Sequence, residues 1–449
     1  MIEEDIEQLR QEVSVALETD DSVEILKLLS SVNIAEIALL LDSLPAQQRD
    51  SIWPLIEPGD LGAVLLETQD DISDAKLKEL DPEEIAAIVE TLPDVDDQAD
   101  IILALPTDKL VQTLHTLDAN KREMLESVLS YSEDTAGGLM NLDQVTVRAD
   151  VSLDVVLRYL RIRGELPDHT DQLFVTDRRD HYMGSLYLRD LLTNDPEVEV
   201  KSIMHTDVDA MHVHMSDNEV AREFEKYDLV SAAIVDEEHR LIGRITIDDV
   251  VDVIRDEGDH SIMSMAGLSE EEDMFSPVLV TSRRRGIWLG INLLTAFLAA
   301  YVIGFFEDIL DQVVALAILI TIVPSMGGIA GSQTLTIAIR GLALGQLGSS
   351  NYRSLIKKEI SVGFLNGLLW ALVVATLSII WFGNFAIGMV IAFALVVNLL
   401  AGALAGAVIP VVLRQIGIDP AIAGGVVLTT VTDVVGIIAF LGLATLVLS

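Results

Sequence analysis

Residues 426–440 read VVLTTVTDVVGIIAF, with Asp433 near the middle of an otherwise apolar run. The run lies inside a longer stretch, 421–448, that holds no other charged residue. About 20 apolar residues suffice for a helix to cross a hydrocarbon core. Four comparable stretches precede it, at 286–306, 313–339, 360–382 and 385–413. A soluble core built from all five would need a far larger polar shell than the chain offers, so an all-α five-helix transmembrane domain is expected. A carboxylate at the centre of a span costs about 2.5–3.5 kcal/mol on insertion scales, and such groups face a bundle interior or a water-filled path. With no basic residue within a helical turn, Asp433 points to a cation pathway. Asn366 and Asn398 mark the same interior more weakly, since polar residues also join membrane helices to one another.

The charge pattern divides the chain at the same place. Of 449 residues, 71 are acidic and 29 basic. From Thr281 onward there are eight bases and six acids, which leaves −44 on the first 280 residues. Such a surface repels phosphate, so nucleic acid is excluded as a partner and cations are favoured. The absence of Cys excludes disulfides and thiolate metal sites. The acidic start MIEEDIEQLRQE lacks an apolar core, so no secretory signal is expected there. Arg283, Arg284, Arg285, Arg340, Arg353, Lys357, Lys358 and Arg414 all fall at alternate ends of the spans, on the side of the acidic part. That bias places the acidic part in the cytoplasm and the C-terminus outside. Within the spans, MGGIAGSQ at 326–333 follows Pro324, and Gly402, Gly406 and Pro410 are expected to interrupt the fourth span. Close helix packing explains most of these glycines.

Two patterns divide the soluble part. Up to residue 135, phrases such as LKELDPEEIAAIVETLP (77–93) and DIILALPTDKLVQTLHTL (100–117) each end a helix at Leu–Pro or Leu–Asp–Pro and start another. Irregular helical repeats of this kind stack into a superhelical domain. Beyond residue 138, FVTDRRDHYMGSLYLRDLL (174–192) and AAIVDEEHRLIGRITIDDVVDVI (232–254) repeat one order of strand, turn, strand and helix. Gly184 aligns with Gly243, and Asp190 with Asp249.

The repeated GSLYLRD and GRITIDD resemble the register of paired CBS domains. The whole chain resembles the MgtE family of magnesium channels and transporters. The likeness rests on GINLLTAFLAAYVIGFFED, GGIAGSQTLTIAIRGLALG, KKEISVGFLNG and IGIDPAIAGGVVLTTVTDVVG. It implies a multidomain chain: an all-α superhelical N-domain (1–135), an α/β CBS pair (136–200 and 201–262), a connecting plug helix (263–282) and the membrane domain (283–449). It also implies a homodimer in the lipid bilayer of the cell membrane, with the pore on the two-fold axis and no enzymatic activity. Asp433, Asp419, Asn398 and Thr430 are the residues assigned to the pore. Ile329 and Ser332 stand where many members have Asn, and Gly424 where Ser is common. Because Mg²⁺ dehydrates reluctantly and is held through its waters by one or two carboxylates, Mg²⁺ is the expected substrate.

The same resemblance implies a cytosolic Mg²⁺ sensor. ITIDDVVDVIRDEGDHS (245–261) sets Asp249, Asp252 and Asp256 on one helical face, with Asp248, Glu257 and Asp259 nearby. PDVDDQAD (93–100) presents Asp96 and Asp100 at i and i+4. Such faces repel when bare and adhere with divalent ions between them, and the Ser269–Thr281 region would carry that closure to the first span. His260 and Asn218 stand where acidic ligands are expected. CBS pairs also bind adenine nucleotides in some members, which makes Arg189 and Asp190 candidates for ATP. Two alternatives stay open: a membrane-anchored regulator, and a divalent cation transporter coupled to Na⁺ or H⁺. No phosphate-binding loop of an ATP-driven pump is visible.

Overall fold

In the computed structural model the described residues are 2–207, 209–268, 273–348 and 350–448, with side chains from residue 6. They form two compact units, one of residues up to 259 with the 273–276 turn, the other of residues from 260 and from 277 onward.

The first unit opens with α1 (Ile2–Glu18), α2 (Ser22–Leu29), α3 (Ile34–Asp42), α4 (Ala46–Ile52) and α5 (Leu61–Glu67). It continues with α6 (Asp70–Glu79), α7 (Pro82–Thr91), α8 (Val95–Leu103), α9 (Thr107–Thr116) and α10 (Ala119–Val128). Helices two apart in sequence pack together, α3 on α5, α5 on α7, α7 on α9 and α8 on α10, as a stacked helical array requires. The starts are locally encoded. Asn33 with Glu36, and Asp81 with Glu84, form capping boxes, and Pro82 takes the first helical position. Pro45 and Pro106 lie one residue outside their helices, as N-caps without a side-chain bond.

The two α/β repeats follow. The first comprises β1 (Thr146–Arg148), α11 (Leu153–Arg163), β2 (Gln172–Thr176), β3 (Tyr182–Tyr187) and α12 (Leu188–Thr193). The second comprises β4 (Met211–His212), α13 (Asp217–Tyr227), β5 (Ser231–Val235), β6 (Leu241–Thr246) and α14 (Ile247–Met265). In both sheets the first strand is parallel to the second, and the second antiparallel to the third. Gly184 pairs with Val175 and Gly243 with Ile234, so the duplication extends to the register. A Cβ at Gly184 would lie 2.4 Å from the His205 carbonyl, which is why that position carries none.

Residues 135–141 pair with the second repeat. Ala136 and Gly137 donate to Met215 and Val213, and Asn141 pairs with Arg244, all in the second repeat. One buried apolar cluster accordingly runs from the helical array into the second repeat, while the first repeat keeps a cluster of its own. The 273–276 turn is pinned to the array by a buried ion pair, Arg49 Nη2 to Asp273 Oδ2 at 2.5 Å. Loss of one partner of such a pair leaves an uncompensated charge, typically at a cost of about 3–5 kcal/mol.

The expected helix over 263–282 is not continuous. Gly267 at φ +73° ends α14, and Pro277 caps a new helix that begins at Val278. Residues 269–272 of the expected gating region lie outside the described residues.

In the second unit, five helices are long and apolar enough to cross a membrane: Val278–Gly304, Val314–Ala343, Tyr352–Phe382, Phe385–Gln415 and Pro420–Leu448. The elements are α15 (Val278–Gly304), α16 (Glu307–Gln312), α17 (Val314–Leu319), α18 (Ile322–Ala343), α19 (Tyr352–Phe382), α20 (Phe385–Gln415) and α21 (Pro420–Leu448). The break between α17 and α18 falls at Ile320–Thr321 because Pro324 cannot donate to the Ile320 carbonyl four residues back. Contrary to expectation, Gly402, Gly406 and Pro410 do not interrupt α20, which is the central helix, packed against α18, α19 and α21. Their function is proximity. A Cβ at Gly402 would lie 2.5 Å from the Gly327 carbonyl, and one at Gly406 2.4 Å from that of Gly331. Small residues let α18 and α20 meet backbone to backbone.

Candidate ion sites in the membrane and soluble units

Asp433 lies on α21, half-buried, and among the described residues no hydrogen bond or ion pair engages its carboxylate. Thr430, one turn earlier and therefore on the same face, donates its hydroxyl to the Val426 carbonyl at 2.8 Å and keeps its oxygen free to accept. These two residues can face one ion.

The other two residues assigned to the pore are engaged by protein partners. Asp419 caps α21, accepting from Ala421 N at 2.7 Å, and its second oxygen meets His260 Nε2 at 2.6 Å. Fourteen residues at a rise of 1.5 Å put it about 21 Å from Asp433 along the helix, too far to share an ion. Asn398 is fully buried between Gly327 and Gly436 and donates to the Val323 carbonyl at 2.7 Å. It joins α18 to α20, and its Oδ1 has no hydrogen-bond partner among the described residues. Ile329 is exposed on α18 at 57%.

In the soluble unit, α8 and α14 bring Asp96 and Asp249 into mutual repulsion. Asp96 is 6% exposed, and its Oδ1 has no hydrogen-bond partner among the described residues. Burial, then Asp249, Asp97 and Asp94, push its pKa well up. Asp249 is raised by burial and by Asp248, despite bonds from the Thr246 amide and hydroxyl. Burial and neighbouring acids, Asp94 foremost, raise Asp97 to about 6. Surrounding protein and Asp97 push Asp100 up to about 7, although its side chain retains solvent contact that tempers the rise.

The remaining sensor candidates stand further out. Asp252 and Asp256 are exposed and both paired to Arg255, at 3.2 and 3.4 Å. Asp248 meets His169 at 3.4 Å. Glu257 accepts from Asn218 Nδ2 at 3.2 Å, and Asp259 is exposed. Asn218 and His260, the two residues that stand where acids are expected, thus each hydrogen-bond directly to an acid. Asp97, Glu67 and Asp70 join the acidic cluster without having been singled out; only the fold places α5 and α6 beside α8 and α14. Among the described residues no three acids or histidines form a preformed cage for one ion, so an ion there would be held largely through its own waters.

The shifts have a definite sign. A carboxyl raised above its unfolded value of about 3.9 stabilises the packed arrangement fully below that pH, and the contribution is lost as the pH rises through the folded value. The window therefore closes through about 6 to 7 for Asp97 and Asp100. In chelator-treated protein, the contact between the helical array and the second repeat is expected to resist protease at pH 5 and yield at pH 8. Divalent cation should restore resistance at pH 8. Equal cleavage at both pH values would show that the carboxylates do not govern the contact.

At the first repeat, Asp190 accepts from His205 Nε2 at 2.8 Å, and the Arg189 guanidinium lies 4.4 Å from the Tyr187 ring centre. The adjoining cleft, lined by Gln172, Tyr182, Tyr187, His205, Asp207 and Ser231, has a volume of about 10 Å³, room for roughly one water. A carboxylate, a guanidinium and a ring are groups that suit ribose, phosphate and base.

Three family models match the chain: divalent cation transporter over residues 320–443, MgtE intracellular N domain over 32–134, and CBS domain over 200–256. The magnesium transporter MgtE of Thermus thermophilus is 31% identical, covering 98% of this chain and 99% of its own length. That of Bacillus subtilis is 30% identical over 78% of each chain. Among solved structures, the cytosolic domain of the Mg²⁺ channel MgtE in complex with ATP is 31% identical, with a TM-score of 0.49, covering 54% of this chain and 99% of that one.

Proposed function

Because the chain belongs to the MgtE family of divalent cation transporters, we propose that it conducts Mg²⁺ across the cell membrane as a homodimer and closes when cytosolic Mg²⁺ loads its acidic soluble unit. The observation that carries this reading is Asp433, midway along the last membrane helix, a carboxylate that no hydrogen bond or ion pair engages among the described residues. Two such groups across a dimer axis offer two charges to one hydrated dication, with the Thr430 hydroxyls one turn away to accept from its waters. A monovalent ion gains less from the same pair. The orientation follows the basic residues, with the soluble unit inside and the C-terminus outside.

Closure uses the opposite property of the same chemistry. The buried Asp96 and the half-buried Asp249 repel when bare, and hydrated Mg²⁺ between them turns repulsion into adhesion. ATP is a second ligand, assigned to the Asp190–Arg189 cleft on its donor set. The competing mechanism is exchange driven by Na⁺ or H⁺. Purified protein in lipid should pass Mg²⁺ current along the Mg²⁺ gradient alone, with a reversal potential that follows Mg²⁺. A reversal potential that moves with an imposed Na⁺ or proton gradient would select the coupled mechanism.

A further inference from the structure

Glu359 lies near the cytosolic end of α19 yet is only 5% exposed. It begins a buried stripe, with Gly363, Gly367, Ala371 and Ala375, that faces α20. In this antiparallel pair Gly367 lies against Val396 and Gly363 against Ala403. Glu359 is therefore level with Gly406, where α18 comes so close to α20 that a Cβ would lie 2.9 Å from Thr334. Glu359 Oε2 accepts from Thr334 Oγ1 at 3.0 Å, and its Oε1 meets the exposed Lys358 Nζ at 3.2 Å.

We infer that Glu359 is a positioning residue for ion passage, holding α18 in register with α21 through its hydrogen bond from the buried Thr334. The inference rests on the transport reading above. Thr334 has one hydroxyl proton to give. Its alternative acceptor on α18, the Ala330 carbonyl, is at 3.4 Å, so the carboxylate is the better partner. The same helix α18 carries Gly328, where a Cβ would lie 3.8 Å from Thr432 Oγ1, next to Asp433. A bond that fixes the height and rotation of α18 thus fixes what stands opposite the ion-facing end of α21. Glu359 acts through Thr334, from the far side of α20.

The cycle Thr334→Val, Glu359→Ala and the double variant tests this in full-length protein, with Thr334→Ser and Glu359→Gln as variants that keep donor and acceptor. Each disruptive variant is expected to lower Mg²⁺ flux about tenfold, the worth of one buried hydrogen bond, and to change the Mg²⁺ to Mn²⁺ flux ratio in the same direction. The double variant should be no worse than either single. Thr334→Ser and Glu359→Gln should stay within about twofold of the parent, because the bond survives. A second reading is independent of transport. The chain has no native Cys, so Gly328→Cys with Thr432→Cys reports the α18–α21 register by oxidative cross-linking. That yield should fall with Thr334→Val and Glu359→Ala and hold with the conservative pair. An unchanged cross-link in Thr334→Val overturns the inference. Additive losses overturn it as well, and so does a Glu359→Gln variant as impaired as Glu359→Ala, which would make the charge itself the ion or proton carrier. Failure of the transport reading is separate: the parent protein would then pass no more Mg²⁺ than Asp433→Asn, while the cross-linking still reports on Glu359.

Discussion

Asp433→Asn is expected to abolish Mg²⁺ uptake while the protein still inserts in the membrane and assembles as the parent does. The substitution keeps size and hydrogen-bonding capacity and removes one negative charge from each copy. For a hydrated dication those charges are the reason to enter a low-dielectric path, because Mg²⁺ keeps several waters and gains chiefly from carboxylates beyond them. Nothing nearby substitutes for the loss, since Asp419 stands about 21 Å away along the same helix and is already engaged by His260. The neutral variant also escapes the insertion cost of about 2.5–3.5 kcal/mol that the carboxylate carries, so folding should be no worse. Asp433→Ala should be equally inactive. Uptake by Asp433→Asn at the parental rate, measured with a Mg²⁺ indicator in liposomes, would remove the carboxylate from the site.

The second large effect is expected in gating. The combined substitution Asp96→Asn, Asp100→Asn and Asp249→Asn should erase the response of the conductance to internal Mg²⁺, so that currents at zero and at millimolar Mg²⁺ coincide. The structure favours this set over one built along α14 alone, because Asp252 and Asp256 share Arg255, whereas Asp96 is buried with an oxygen lacking a hydrogen-bond partner among the described residues. Two unit charges 4 Å apart near a protein surface repel by about 4 kcal/mol before screening. Moving a two-state gate from 1:99 to 99:1 takes about 5.5 kcal/mol, so a few such pairs suffice. Neutral amides neither repel nor bridge. Asp252→Asn with Asp256→Asn should shift the closing concentration far less. Closure of the triple variant at the parental Mg²⁺ concentration would place the sensor elsewhere.

By itself, the sequence determined the five membrane helices, the duplicated α/β repeat, the split between an acidic and a neutral half, and Asp433. Each depends on periodicity, local charge or run length, which are properties of neighbouring residues. Capping boxes at Asn33 and Asp81 belong to the same class. Tertiary packing alone decided the partners. Asn398 and Thr430 look alike as polar residues in apolar runs, yet one is sealed between two glycines and the other shares a face with Asp433. Asp419 reads as a lone acid before the last span, and only the fold brings His260 of α14 to it. Asp96 and Asp249 are each one acid in an acidic run, and only the shared core of the helical array and the second repeat makes them opponents. Glu359 and Thr334 sit on two different helices packed against α20, and only the assembled bundle brings them together. Helical periodicity states which residues share a face. Which faces meet depends on how several helices fill space at once, and no local pattern carries that information.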